Sequence, residues 1–474
     1  WRYILDGQQR STALLVSLLG GKGRVEDNKE FDYTVYFDAL NGDFFFAEAL
    51  EERKGSVSSE FLIRLRDVPE WDFTFYKDIS SVDGFDEVIE HNLQQLSKMF
   101  TDYKVSVIRI KGVEVNEVCD IFERINQEGK KLHPVDIIVA RTYRSEDPET
   151  ETPFFYLRDY LDSLNEKLFA QGGHYQDIDD LRIMQMVALC LRKQHSNGRN
   201  PFGITPKPLQ NLETKHLECN WKQCEETILD TIKFLADMKI MGPAMLPFWY
   251  LALPLCYHFY KNDAPARNVA RQWFWRNAFG LESFSSSSDV YSFCKEFFDA
   301  LEEGSPYSIK PLILSKTRLV DTSYYYRNPL SRAVLAFLAN QKPIDFSDPH
   351  ADVLDSVYLS MRQAPNLHHI YPRNFLKGIR LPRAADADSL MNICYLRAKT
   401  NLEVGDKNPL IYFSEYRDGK AFEDILNSHL IPQGYIERDE FHPTDYREFL
   451  FARAEAVAHK LQQTLPDVEV TIVE

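Results

Sequence analysis

Asn366-Leu367-His368-His369-Ile370-Tyr371-Pro372 is followed by Asn392, Asn401 and Lys407, and this spacing decides how the C-terminal third of the chain is read. Adjacent histidines on a strand point to opposite sides, although a turn or bulge would alter that. One imidazole then suits the activation of water. The other suits a divalent ion that stabilises a charged phosphate and its leaving oxygen. Asn392 is placed to fix the base by a hydrogen bond, and Asn401, nine residues on, to return from a helix as a metal ligand. Taken alone, the pair reads equally well as two structural histidines in a loop.

Charge adds context. Residues 361–401 carry seven Lys/Arg against two Asp, a local +5 in a chain of net −16, so the remainder carries −21. A basic island around such a constellation points to a polyanion, most simply nucleic acid. A solvated basic face is the plain alternative. Arg373, Lys377, Arg397, Lys399 and Lys407 are the candidate DNA contacts.

Upstream, Asp6-Gly7-Gln8-Gln9-Arg10-Ser11-Thr12 lies between a strand end (Tyr3-Ile4-Leu5) and a helix expected over Ser11–Leu19, stopped by Gly20-Gly21. Glycine lets backbone approach a ligand, a helix N-terminus presents N–H groups to an anion, and Arg10 offers a bidentate phosphate partner. The pattern is not a P-loop, and an ordinary capped turn accounts for it as well. Phe122-Glu123-Arg124-Ile125-Asn126-Gln127-Glu128-Gly129 places Arg124 and Asn126 either on a shared polar cleft or on a solvated helix end.

The 474 residues suggest two to four domains at ~100–200 residues each, and 44% hydrophobic with 13% aromatic content excludes a disordered chain. Strands are expected at Phe31–Phe37 and Tyr103–Ile110, a helix through Val118, Ile121, Phe122 and Ile125, and another opened by Pro134. Amphipathic helices are expected around 154–170, 178–193, 222–238 and 264–280, a loop or helix start at Ser283–Asp289, and a closing helix near 445–464. Ile240–Tyr260 is uncharged and almost long enough to span a membrane, but Pro243, Pro247 and Pro254 point to broken, buried helical segments. Seven scattered cysteines without a CxxC give no disulfide framework and fit a reducing, cytoplasmic setting. His216, Cys219 and Cys224 form only a weak zinc candidate for want of a fourth ligand.

DGQQRST followed by FERINQEGKKLHPVDII resembles the N-terminal domain of GmrSD-type modification-dependent (type IV) restriction endonucleases. HHIYPRNFLK and NICYLRAKTNLEVGDKNPLIYF resemble that family's C-terminal HNH, or ββα-metal, domain. The resemblance implies an α+β multidomain chain. Its parts would be a ParB/sulfiredoxin-like α/β nucleotide-binding domain over 1–150, a helical region over 151–340 and an HNH endonuclease domain over 341–474. It implies Asp6, Gly7, Gln8, Gln9 and Arg10 at nucleotide phosphates, with Arg124 and Asn126 on the same cleft. It also implies His369 as general base, Asn392 orienting it, and His368 and Asn401 as metal ligands. The family's Phe-Gln-Arg type motif, in a strand ahead of DGQQR, would fall upstream of Trp1. The implied cofactors are a divalent metal, Mg²⁺ or Mn²⁺, and a nucleoside triphosphate whose identity the residues do not name. The implied function is nucleotide-regulated, metal-dependent DNA cleavage in antiphage defence, directed at modified phage DNA, with NTPase activity, no membrane association and room for a homo-oligomer. A nucleotide-switched DNA-binding module with an inactive HNH fold, and an RNA-cutting toxin, are the alternatives.

Overall fold

Gly20 takes φ +69°, and a Cβ there would meet Thr34 Oγ1 at 2.7 Å, so a glycine ends the first helix, Gln8–Leu19, on two counts. This helix begins three residues before the expected Ser11. The computed structural model describes residues 8–24, 30–105, 107, 117, 121, 133–146, 151, 153–171, 175, 178–192, 203–260, 262, 264–280, 286–307, 309–350, 353–354, 367–379, 387–417 and 421–474. Chain contacts separate Trp1–Lys131 from Leu132–Glu474.

In the first unit, β1 (Lys22–Arg24) pairs antiparallel with β2 (Glu30–Asp32). β3 (Val35–Asp38) lies between β4 (Asp43–Phe46) and β5 (Leu62–Arg64), antiparallel to both. The alternation over Phe31–Phe37 is therefore shared by two strands, not one. The break falls at Tyr33-Thr34, where Asp32 Oδ1 accepts the Thr34 N–H at 3.0 Å. Phe37, Phe61 and Leu62 pack with Ile89, Leu93 and Leu96 of the helix Glu87–Asp102, whose N-terminus Asp86 caps. Tyr3–Leu5, half of Tyr103–Ile110 and most of Val118–Ile125 lie outside the described residues, and the described residues 103–105 and 107 are in no strand.

The second unit opens with the helix Pro134–Thr142, proline at its first turn. Val135, Ile138 and Val139 are buried in this unit's core, on the far side of the contact division at 131–132. The core runs without interruption from Val135 to Val468, so 151–340 and 341–474 share it. The four amphipathic helices are Leu157–Ala170, Asp180–Arg192, Thr214–Asp237 and Arg267–Phe279, the third starting eight residues early. Ile240–Tyr260 is broken into two short 3-10 turns, the first opened by Pro243, and the helix Ala252–Phe259, which takes Pro254 in its first turn. Among the described residues no helix is long and apolar enough to cross a membrane. Ser286 and Asp289 form a capping box at the start of Ser287–Ser292. The closing helix spans Pro443–Thr464, and β9 (Val470–Val473) then pairs in parallel with β6 (Leu312–Ser315).

Candidate active site

β7 (Leu367–His369) and β8 (Ile393–Tyr395) form an antiparallel pair, with His368 opposite Cys394 and His369 opposite Ile393. Two residues later comes the helix Ala398–Val404, so the paired strands and this helix follow in ββα order once the short helix Arg373–Gly378 between the strands is set aside. Asp345, fully buried, ties that helix down. It accepts the Arg397 N–H at 3.1 Å and the Thr400 hydroxyl at 2.6 Å. From the closing helix, the buried Arg453 donates to the carbonyls of Met391 and Ile393, each at 2.8 Å, and of His429 at 2.9 Å. Burial pulls this guanidinium down to about 10.

Strand alternation turns the two histidines apart. His368 faces inward, 3% exposed, with Nδ1 2.6 Å from Asn401 Oδ1. Its Nε2 is buried without a partner among the described residues. Burial lowers its pKa to about 4, against the bond to Asn401, so the imidazole is neutral at pH 7. A neutral imidazole and an amide oxygen are donors that suit a divalent ion, and the orphaned ring nitrogen marks this histidine's hydrogen bonding as incomplete. His368 and Asn401 are thus residues whose donor atoms could hold a divalent ion, although Asn401 Oδ1 here bonds Nδ1 and not the orphaned Nε2. Among the described residues no three His, Cys, Asp or Glu side chains cluster to hold a metal, and His216, Cys219 and Cys224 accordingly make no zinc site. His216 belongs instead to the capping box of Thr214–Asp237.

His369 turns outward, its Nε2 2.9 Å from Asp388 Oδ1. The same oxygen accepts from Arg373 Nε at 2.6 Å and lies 2.5 Å from Arg373 Nη2. An ionised carboxylate only accepts, so Nε2 carries the proton and Nδ1 is left as the basic nitrogen. Burial lowers the His369 pKa and Arg373 adds to this, while the Asp388 bond opposes. Asp388 sits below the ordinary carboxylate range; burial raises it, but the bonds from His369 and Arg373 outweigh that. Sequence reading counted Asp388 only as a charge in the basic island. A carboxylate between the HH and Asn392 motifs was the one signal for it.

Asn392 is fully buried and does not act as expected. Its Oδ1 accepts the Tyr371 N–H at 2.8 Å, and its Nδ2 donates to the carbonyls of Tyr371 at 3.0 Å and Ala387 at 2.9 Å. It clamps the turn leaving β7, and its side-chain bonds go to main-chain atoms of Tyr371 and Ala387 rather than to the His369 ring. Of the candidate DNA contacts, Arg373 is engaged with Asp388, Arg397 lies 3.7 Å from Asp348, Lys399 3.8 Å from Glu403, and Lys407 2.9 Å from Glu415. Lys377 is exposed on the short helix Arg373–Gly378. Such exposed pairs are worth ~0–1 kcal/mol. In the N-terminal motif, Gln8 opens the first helix and Gln9 and Arg10 are exposed on its first turn, whereas Asp6, Gly7, Arg124 and Asn126 lie outside the described residues.

Residues 2–143 match the family model of the GmrSD restriction endonuclease N-terminal domain. The matched GmrSD-type stretch thus runs from the first unit into the first helix of the second. The chain as a whole is also similar to uncharacterized protein MJ0686 of Methanocaldococcus jannaschii. The two are 23% identical over 451 residues, across 87% of this chain and 72% of that protein.

Proposed function

We propose that the chain is a divalent-metal-dependent DNA endonuclease of the HNH type. In this reading a nucleoside triphosphate bound in the GmrSD-type domain regulates cleavage, and the target is modified DNA in antiphage defence. The observation that carries the reading is the ββα unit with its histidines opposed, His368 turned in onto Asn401 and His369 turned out onto Asp388. Asp388 holds the His369 tautomer, and His369 Nδ1 takes the proton from the attacking water. Asn392 keeps the β7 turn in place while this happens. A divalent ion bound by His368 and Asn401 would supply charge stabilisation to the phosphate and leaving oxygen. For the nucleotide, the support is the family match over residues 2–143 and a helix N-terminus at DGQQR.

The test incubates the full-length protein with plasmid and modified phage DNA, with Mg²⁺ or Mn²⁺, with and without each NTP. Cleavage should require the metal, respond to one nucleotide, and fall ~100-fold or more in His369→Ala. Full cleavage by that variant would overturn the assignment. DNA binding without cleavage under every ion and nucleotide would replace it with a switch-and-bind module, and RNA degradation with DNA intact would replace it with an RNA-cutting activity.

A further inference from the structure

Beside the His369 centre runs a segment that the chemistry above does not use, Ser323-Tyr324-Tyr325-Tyr326-Arg327. The Tyr324 N–H donates to the Asp388 carbonyl at 2.7 Å, Ser323 bridges Ser389, and the Leu390 N–H donates to the Thr322 carbonyl at 2.9 Å. The segment is thus stitched to the residue that holds the base. Beyond the stitch its backbone stays pinned. The Ser331 hydroxyl accepts the Tyr325 N–H at 3.2 Å, and Arg332 Nε donates to the Tyr326 carbonyl at 2.8 Å.

On this fixed stem two rings stand in solvent. Tyr325 is 52% and Tyr326 39% exposed, edge to face at 5.1 Å, and the Arg327 guanidinium lies over the Tyr326 ring, also 5.1 Å from its centroid. Residues 323–332 contain two arginines and no carboxylate, whereas the chain as a whole is strongly acidic. A single exposed tyrosine would need no explanation. Two exposed rings with an arginine, on pinned backbone next to a phosphodiester-cutting constellation, combine a π-face for a base with a cation for its phosphate.

We infer that Tyr325, Tyr326 and Arg327 form a stacking platform for unpaired nucleobases of DNA adjoining the phosphate at His369. The inference rests on the nuclease reading for its substrate, DNA. It adds the state of that DNA: bases inside a duplex expose only their edges, so a platform that takes ring faces requires a single-stranded or locally opened strand.

The test measures binding by fluorescence anisotropy of a labelled single-stranded 20-mer oligodeoxynucleotide and of the same strand in a duplex. The full-length His369→Ala protein serves as background so that the probes survive. Tyr325→Ala/Tyr326→Ala in that background should weaken single-strand binding about tenfold or more. Duplex binding should change less than about twofold, with the salt slope of either unchanged, because stacking releases few counterions. Tyr325→Phe/Tyr326→Phe should restore single-strand affinity, which a loss caused by misfolding would not. Unchanged single-strand binding would overturn the platform, as would an equal loss for both probes with a shallower salt slope. Tighter binding of an RNA 20-mer of the same sequence would overturn the assignment to DNA. Cleavage by the unmutated protein is scored separately. Absent cleavage with intact stacking rejects the nuclease reading alone, and normal cleavage with no tyrosine effect rejects the platform alone.

Discussion

His369 shares a single carboxylate oxygen, Asp388 Oδ1, with Arg373. An amide at 388 would offer both a donor and an acceptor to the ring, so the tautomer would no longer be fixed. Asp388→Asn should therefore lower kcat for cleavage by about tenfold to a hundredfold while leaving KM for DNA nearly unchanged, measured on a single-site oligonucleotide. Stability should hardly move, because Asp388 is 40% and Arg373 55% exposed at the side chain. A cleavage rate within twofold of the parent protein would remove Asp388 from the mechanism. At this scale, period-two alternation made the opposed histidines legible, since it needs only local backbone geometry. Asp388 was not legible: its approach to His369 depends on how a 19-residue excursion returns to β8. The place of Asn392 beside the hairpin was legible from the spacing, but its partners are main-chain atoms that no side-chain pattern announces.

At the scale of elements, the ββα unit is held by groups that lie far from it in sequence. Arg453 satisfies three buried carbonyls, two of which flank Asn392. Arg453→Met should destabilise the protein by ~3 kcal/mol or more in a urea melt, because the carbonyls stay buried and lose their donors. Cleavage should fall with it, and an unchanged urea midpoint would show the carbonyls to be satisfied otherwise. His429 supplies a pH dependence. It is fully buried, its Nε2 2.7 Å from the Ile344 carbonyl, and burial, against that bond, pulls its pKa from 6.5 to about 4. The unfolded chain then binds more protons than the folded one below pH 6.5, so stability falls as pH drops from about 6.5 toward 4. The loss from this group approaches ~3 kcal/mol at the acid end. The fall in Tm between pH 7.5 and 5.0 should be smaller in His429→Gln, which keeps a donor for Ile344; an identical fall would place the proton elsewhere. Helices with strong periodicity and proline starts, such as Pro134–Thr142 and Leu157–Ala170, were readable from sequence. The parallel pairing of β6 with β9 was not, because its strands are four residues each and stand more than 150 residues apart.

For the whole molecule, the charge distribution is the property most open to reading in the sequence and the least dependent on packing. The division between Lys131 and Leu132 was harder to read, since the helix that follows it is apolar on a face that either neighbour could bury. The charges at residues 361–401 sit in a chain whose remainder carries −21, so in the proposed nuclease reading that island must overcome long-range repulsion of DNA. Binding should therefore be steep in salt, each lysine that meets a phosphate contributing ~0.9 to the slope of log K against log salt. Lys377 and Lys399 are the clearest cases, because Lys377 is exposed and Lys399 keeps only a distant pairing, 3.8 Å, with Glu403. Lys377→Gln/Lys399→Gln should make the slope shallower by about 2 and weaken all DNA sequences alike. Lys407, held at 2.9 Å by Glu415, must first give up that partner, so Lys407→Gln should move the slope less than either. A slope unaffected by the double substitution would mean that the basic island faces solvent and that DNA meets the chain elsewhere.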